Sequence, residues 1–338
     1  MGKQQASPEA RSAGATIYSV AEHAGVSIAT VSRVLQGATV VAETTKQKVL
    51  AAVEELGYVP LGAARSLAVR HHEAHGLVLP ELSGPYYAEL LMGFEARAAE
   101  LAQSVVLVLT DSRTDLAAAV RQLATRVDAI AVFGSAASGD VVRLLRAKKP
   151  VVVIAGEASD GVEAVSAENL ESARELAGHL LGHGRRRVLF VGDPDSGPDI
   201  RDRYAGFVAA HRDRGLTAAE PVRVALNEAD GLVVARRLLN GELEADALMC
   251  ANDELALSVM TSLQDAGRSV PGDVAVVGWD DVMTSRYVRP GLTTVRQPVH
   301  ELGALAATRL HELVGGEAAR SDARTLPTQL VVRSSCGC

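Results

Sequence analysis

The chain has 338 residues, of which 48% are hydrophobic, 22% charged and only 3% aromatic, and its formal net charge is −7. That length exceeds one ordinary core and points to several domains, while the composition excludes a disordered or fibrous chain. The acidic balance excludes a broadly basic nucleic-acid binder, so any such surface is local.

Residues 1–15, MGKQQASPEARSAGA, lack the apolar run of a secretion signal and read as a disordered leader. No segment approaches the roughly 18 apolar residues of a membrane span, so a cytoplasmic protein with no membrane partner is expected. Ser19-Val20-Ala21-Glu22 reads as a capping box opening a first helix, with Gly25 as its left-handed stop. Ser27 then caps a second helix that Gly37 ends, and Val31, Val34 and Leu35 fall at i, i+3, i+4 as an inward stripe. Ile28, Ala29, Thr30, Ser32, Arg33 and Gln36 are left outside it or at its margins. A third helix is expected from about Glu43 to Leu56, with Val49, Val53 and Leu56 inward and Gly57 as its stop. Two short helices about a glycine turn, braced by a third, make either a helix-turn-helix or a plain three-helix bundle. Ile28 favours the first, because thymine methyls offer an exposed isoleucine a partner and water does not.

TIYSVAEHAGVSIATVSRVLQG, followed by TTKQKVLAAVEELGYVP, closely resembles the DNA-binding headpiece of the LacI/GalR family of transcriptional repressors, and the resemblance continues to the end of the chain. It implies a regulator rather than an enzyme. Such a regulator binds pseudo-palindromic double-stranded operator DNA as a homodimer, under control of a sugar-like small-molecule effector and with no cofactor. By that match Ile28 and Ala29 read operator bases, Arg33 is a further base-contacting position, Thr30 and Ser32 meet phosphates, and Ser27 at the helix start joins the DNA-binding set. Three departures change expected backbone contacts: Gln36 for a usual Asn, Ala42 for a usual Ser, and Thr45 where Arg is common. From Thr16 to His72 there are five basic residues (Arg33, Lys46, Lys48, Arg65, Arg70) and four acidic ones (Glu22, Glu43, Glu54, Glu55), a net of +1. So thin a footprint predicts a shallow salt dependence for a repressor.

The headpiece, 16–60, gives way to a linker at 61–73. Pro60 stops the preceding element, and Ala63 to Val69 has helix propensity but too few residues for a stable helix alone. It is a flexible tether or, as the resemblance implies, a hinge helix that folds on DNA against its dimer mate. Leu67 then matches the leucine wedged into a central minor-groove step, with Arg65 beside it. Leu61 and Ala68 depart from the usual Asn and basic residue.

Residues 74–335 alternate strand and helix. Valine-rich runs GLVLP, VVLVLT, AIAVFG, PVVVIAG, RVLFVGD, PVRVAL, ALMCA and VAVVGWD read as strands of parallel α/β sheets. Helices lie near 87–102, 168–182, 200–214, 230–240 and 252–266. The strand number favours two lobes, the first about 74–167 and 294–322, the second about 168–293 and 323–335. The chain would return after about residue 293 through LTTVRQP to a helix at 298–314, with a last strand near QLVVRSS in the second lobe. The fold class is thus an all-α helix-turn-helix headpiece plus an α/β two-lobed core with parallel sheets, which the resemblance makes periplasmic-binding-protein-like.

Ligands of such sheets sit outside the carboxyl ends of the strands. There stand Tyr86 and Tyr87, Thr110 and Asp111, Gly134 and Ser135, Glu157, Asp193, Arg203, Asn252 and Asp253, and Trp279 to Asp281. Carboxylates, an amide and an arginine suit hydroxyl-rich ligands, and Tyr86, Tyr87 and Trp279 are able to stack on a sugar or purine face. Taken singly, Asn252 and Asp253 read equally as helix caps, Asp280 as a strand end and Tyr86 as packing. The resemblance makes Arg203, Asn252 and Asp280 regular effector contacts and Tyr86, Tyr87 and Asp111 more variable ones. Ala155-Gly156-Glu157 departs from the family's usual arginine there, and an aromatic used by some members near Leu226 and Asn227 is absent.

The first lobe is expected to dimerise through Leu90, Phe94 and Leu101, with Leu82 and Tyr86 near the helix start. No leucine heptad follows Ser335, so a coiled-coil tetramer is not expected. Of the three cysteines, Cys250 lies in an apolar run. Cys336 and Cys338 end the chain with no matching His or Cys pair elsewhere, so no metal site is expected. Dehydrogenase, serine-hydrolase and P-loop readings fail for want of G-x-G-x-x-G, G-x-S-x-G and the P-loop lysine.

Overall fold

The computed structural model describes residues 15–35, 41–58, 72–111, 113–159, 161–319 and 323–338. Most of the expected leader, the Gly37 stop and the linker carrying Arg65 and Leu67 lie outside the described residues. The chain forms two compact units, 1–72 and 73–338.

In the first unit, α1 (Ile17–Ala24), α2 (Ile28–Leu35) and α3 (Glu43–Glu55) surround a small core. Val20, Val31 and Val49, one from each helix, are fully buried, with Ala52 and Tyr58 closing the cluster. The capping box is one turn earlier than Ser19-Glu22. Thr16 is the cap, its hydroxyl accepting from the Ser19 amide at 3.3 Å while the Ser19 hydroxyl accepts from the Thr16 amide at 2.7 Å. Starting there adds Ile17 to the apolar cluster, which a start at Ser19 would leave in a loop. Gly25 has φ 65° and lets its amide close on the Ala21 and Glu22 carbonyls. Ser27 caps α2, accepting from the Thr30 amide at 3.1 Å. Helix α3 starts at Ala42 without a side-chain cap, the consequence of the missing serine hydroxyl.

The second unit opens with β1 (Ala74–Leu79), α4 (Pro85–Glu100), β2 (Ser104–Leu109), α5 (Leu116–Ala124), β3 (Ala129–Phe133), α6 (Gly139–Arg146), β4 (Val151–Ile154) and β5 (Glu163–Ala167). It continues with α7 (Leu170–Gly182), β6 (Val188–Val191), α8 (Pro198–Arg212), α9 (Glu228–Leu239), β7 (Ala247–Cys250), α10 (Asp253–Asp265) and β8 (Ala275–Val277). The chain then returns through β9 (Thr294–Arg296), α11 (Val299–Val314), β10 (Arg324–Leu326) and β11 (Gln329–Val331).

The first lobe is a parallel sheet in the order β10-β5-β4-β3-β1-β2. Helices α4 and α11 cover one face, α5 and α6 the other. Where α4 crosses α11, a Cβ on Gly93 would collide with the His300 carbonyl and one on Gly303 with the Leu90 carbonyl, so two glycines set the approach. The second lobe is a parallel sheet in the order β6-β7-β8, with α7 and α8 on one face and α9 and α10 on the other. Strands β9 and β11 pair antiparallel along the crossover. Among the described residues, no helix is long and apolar enough to cross a membrane.

Several expectations are corrected. β10 pairs in parallel with β5, so residues 324–326 belong to the first sheet rather than the second lobe. β5 itself, EAVSA, did not read as a strand. Its Glu163 is fully buried because Arg309 of α11 grips it at 2.7 and 2.9 Å. PVRVAL read as a strand, yet only Val222 bridges to Val191 and the chain then leaves the sheet edge. Leu90 and Phe94 are not a dimer face. Both are fully buried in the first lobe's own core, against Leu302 and Ala306 of α11. The tail cysteines do have histidine neighbours. The tail folds back so that Cys336 and Cys338 stand beside His179 and His183.

Candidate functional site

Two sets of residues carry the candidate chemistry. The first lies on α2. Turning Val31 and Val34 inward leaves Ser27, Ile28, Ala29 and Arg33 exposed and Thr30 and Ser32 half-buried. Ile28 is 41% exposed, a bare apolar side chain at the start of a helix whose amides also face outward. The hydroxyls of Ser27 and Thr30 bond each other at 2.9 Å. Tyr18, not singled out from the sequence, is 69% exposed on α1. Its signal was there: with Ile17, Val20 and Ala21 inward, Tyr18 falls on the outer face.

The second set lines the cleft at the carboxyl ends of the core strands. In the first sheet the order reverses between β1 and β3, which opens the crevice where such sheets take ligands. Tyr86 and Tyr87 begin α4 just after β1, and Phe133 ends β3. The three rings meet edge to face, with centroids 5.4 Å apart for Tyr86–Tyr87, 5.2 Å for Tyr87–Phe133 and 6.0 Å for Tyr86–Phe133. Opposite them, Arg203 of α8 is only 4% exposed. Its Nε donates to Asn169 Oδ1 at 2.8 Å, Nη1 to the Ala251 carbonyl at 2.5 Å, and its plane lies 4.6 Å over the Trp279 ring. Asp199, one turn earlier on α8, stands 4.0 Å from Nη2. Asp280 follows β8 and accepts from Gln297 Nε2 at 2.6 Å. Its φ of 117°, like 56° at Asp281 and 53° at Ala155, lies where side chains other than glycine are strained, and all three follow strand ends at the cleft.

The electrostatics join the lobes. Burial raises the Tyr86 hydroxyl well above its usual range, and Asp199 and Asp280 raise it further while Arg203 opposes, so the first lobe's ring faces the second lobe's charges. Burial pushes Asp280 up to about 8, against Arg203 and Gln297 and with help from Asp253 and Asp199. Burial raises Asp199 too. A carboxyl shifted this far takes up its proton near neutral pH, and the protonated form both donates and accepts, a pattern matched to ligand hydroxyls. Arg201 reaches Glu157 at 2.7 Å, an exposed pair between α8 of the second lobe and the loop after β4 of the first. Cavities of about 640 Å³, lined by Tyr86, Asp280 and Gln297, and about 490 Å³, lined by Gly134, Glu157 and Arg201, lie along the cleft.

The structure thus brings Tyr86, Tyr87, Arg203 and Asp280 together and leaves two expected residues aside. Asn252 is occupied as a cap: its Oδ1 accepts from the Leu255 amide at 3.0 Å and its Nδ2 donates to the Leu226 carbonyl at 3.1 Å. Asp111 is exposed after β2, and its charge reaches Tyr87 only as a minor influence. Trp279 is fully buried beneath Arg203, so it offers no face to a ligand. Asp253 is a brace. It is fully buried, accepts from the Val282 amide at 3.0 Å, Ser285 at 2.6 Å and Thr294 at 2.7 Å, and so ties α10 to β9. Asp199, Asn169, Gln297 and Phe133 went unremarked in the sequence. Only Asp199 carried a local signal, standing at i−4 to Arg203 on one helix face. Among the described residues, no group of three metal-ligating side chains lies in the cleft.

A helix-turn-helix unit joined to a two-lobed receptor with a polar cleft defines a ligand-responsive DNA-binding protein. Residues 16–60 match the model of bacterial regulatory proteins of the lacI family, and residues 177–336 that of a periplasmic binding protein-like domain. Catabolite control protein A of Priestia megaterium is 32% identical over 330 residues, covering 95% of this chain and 98% of that one. A lac repressor dimer bound to operator and an anti-inducer superposes with a TM-score of 0.84 at 28% identity, covering 95% of this chain and 99% of that one. The CelR–cellobiose complex superposes with a TM-score of 0.71 at 28% identity, with the same coverage of both chains. The chain belongs to the lacI family of regulatory proteins.

Proposed function

We propose that the protein is a cytoplasmic transcriptional repressor without enzymatic activity, which binds a pseudo-palindromic operator as a homodimer and releases or grips it in response to a sugar-like effector. The observation that carries this reading is the union, in one chain, of an exposed Ile28-Ala29-Arg33 face on α2 with a cleft in which buried Arg203 stands beside the carboxyls of Asp199 and Asp280. Ile28 and Ala29 meet thymine methyls and base edges, Arg33 adds a base contact, and Ser27, Thr30 and Ser32 hold phosphates. Arg65 and Leu67 serve the linker on DNA, Leu67 as the wedge. In the cleft, Arg203 and Asp280 hold vicinal hydroxyls while Tyr86 and Tyr87 wall the ring. Asp111 and Asn252 keep only a peripheral part in this reading.

Linkage supplies the mechanism. An effector that prefers one arrangement of the lobes shifts the population toward it, and the affinity for operator changes by the same coupling factor. The test is selection of double-stranded DNA from a random pool by the full-length chain, followed by a thermal-shift screen of sugars, nucleosides and sugar phosphates on residues 73–338. A selected palindrome whose affinity changes with a hit from the screen supports the reading; a chain that enriches no duplex ends it.

A further inference from the structure

The C-terminal tail carries a second site, independent of the effector reading. His179 lies in the last turn of α7 and His183 follows its end, four residues apart and so on one face of the helix. The tail is fixed against β8 and the segment before β9 by Ser335. Its hydroxyl donates to the Val276 carbonyl at 2.5 Å and accepts from the Thr293 amide at 2.8 Å. Gly337 turns with φ 107° and brings Cys338 back beside Cys336. His179 Nε2 is 3.3 Å from Cys336 Sγ and 3.4 Å from Cys338 Sγ, His183 Nε2 is 3.1 Å from Cys338 Sγ, and the two sulfurs are 3.3 Å apart. All four ligand atoms lie within 4.8 Å of one another.

We propose that His179, His183, Cys336 and Cys338 form a closed tetrahedral site for a thiophilic divalent cation, zinc by its ligand chemistry. Two imidazoles and two thiolates are a donor set of structural zinc. Bonds of about 2.3 Å to sulfur and 2.0–2.1 Å to nitrogen place ligand atoms about 3.4–3.8 Å apart, within small rotations of the positions here. The sulfurs are not bonded to each other and all three cysteines are free. The Thr293 hydroxyl, which donates to the Arg333 carbonyl at 2.9 Å, also lies 3.2 Å from Cys336 Sγ, within reach of an outer hydrogen bond of the kind that steadies a thiolate ligand. On binding, each thiol releases its proton to solvent. Four protein ligands leave no open position, so the cation is structural: it clasps the tail, and through it the β9–β11 crossover pair, onto α7.

The experiment uses the full-length, tag-free chain, stripped with chelator under a thiol reductant and titrated with Co²⁺ and then Zn²⁺. About one Co²⁺ per chain, with the strong ligand-field and thiolate charge-transfer bands of a tetrahedral site that Zn²⁺ displaces, is expected. Cys338→Ser and His183→Ala alter exposed ligands and leave the buried Cys336 in place. Each weakens Co²⁺ binding more than about 10-fold, because loss of even an outer partner costs that much. Each also removes the Zn²⁺-induced rise in melting temperature, while circular dichroism shows the fold intact. A weak octahedral spectrum, binding unchanged in both variants, or a Cys336–Cys338 disulfide that resists the reductant overturns the proposal.

Discussion

Arg309 in the first lobe and Arg203 in the second are both almost fully buried, 1% and 4% exposed, and are held in opposite ways. Arg309 grips Glu163 with two parallel bonds and also bonds Glu312 and Glu317, so carboxylates surround it. Arg203 is held by an amide oxygen, a main-chain carbonyl and an indole face, and its nearest carboxylate, Asp199, is 4.0 Å away with its acidity weakened by burial. A buried cation neutralised on every side fixes structure. One held by neutral acceptors is positioned with its charge still in hand, and in this molecule it stands at the cleft.

That contrast breaks most readily at Arg309. Arg309→Ala takes both short bonds from buried Glu163, with Arg324 Nε still 3.6 Å from it, and should lower the unfolding free energy by about 3 kcal/mol in urea denaturation, with effector affinity little changed in the folded fraction. A loss below about 1 kcal/mol would mean the pair is dispensable. Arg203→Ala should show the reverse balance. Affinity for whichever sugar-like ligand the screen identifies falls about 100-fold or more, near 2.7 kcal/mol, while operator binding without effector is kept. Normal effector response in this variant would place the binding site elsewhere.

The same contrast explains what could be read from the chain alone. The valine-rich central strands were legible because burial on both faces leaves a continuous apolar run. β5 was not, because Glu163 is tolerable in a strand only with Arg309, which lies 146 residues away. Leu90 and Phe94 were legible as an apolar stripe, yet a stripe does not say whether its partner is another chain or, as here, α11. Thr16-Ser19 and Ser19-Glu22 both had cap spacing, and only the packing of Ile17 decided between them. Arg203, Asn252 and Asp280 were legible as polar residues at strand ends, and the resemblance singled them out; Asn252 also read as a cap, and it does cap α10. His179 and His183 offered an i, i+4 pair in the sequence, but the tail that meets them is more than 150 residues downstream.

A smaller effect tests the neutral acid at the cleft. The folded value of about 8 for Asp280 lies above the ordinary carboxylate value, so the folded state holds a proton that the unfolded state has lost. The stability this confers is complete below about pH 4 and is lost as pH rises toward 8, at no more than about 1.4 kcal/mol per pH unit for one proton. Asp253, which burial pushes up to about 7, adds a loss of the same sign. Asp280→Asn should therefore make the decline in urea stability between pH 5 and pH 8 shallower without abolishing it. An unchanged slope would mean that Asp280 is ionised at neutral pH and meets ligands only as an acceptor.

The weakest link is the exposed pair between the lobes. Glu157 and Arg201 have side chains 64% and 55% exposed, so water and salt screen them and the pair contributes about 0–1 kcal/mol. Glu157→Gln should barely move global stability, because neither charge is buried when the other is lost. It should still shift the balance between lobe arrangements, since the two residues belong to different lobes, and change effector affinity less than about fivefold. That shift should vanish in about 1 M salt, where the Debye length falls to about 3 Å. A change larger than tenfold that survived the salt would mean that Glu157 touches the effector itself, and the line between positioned and structural charges would have to be redrawn to include the first lobe.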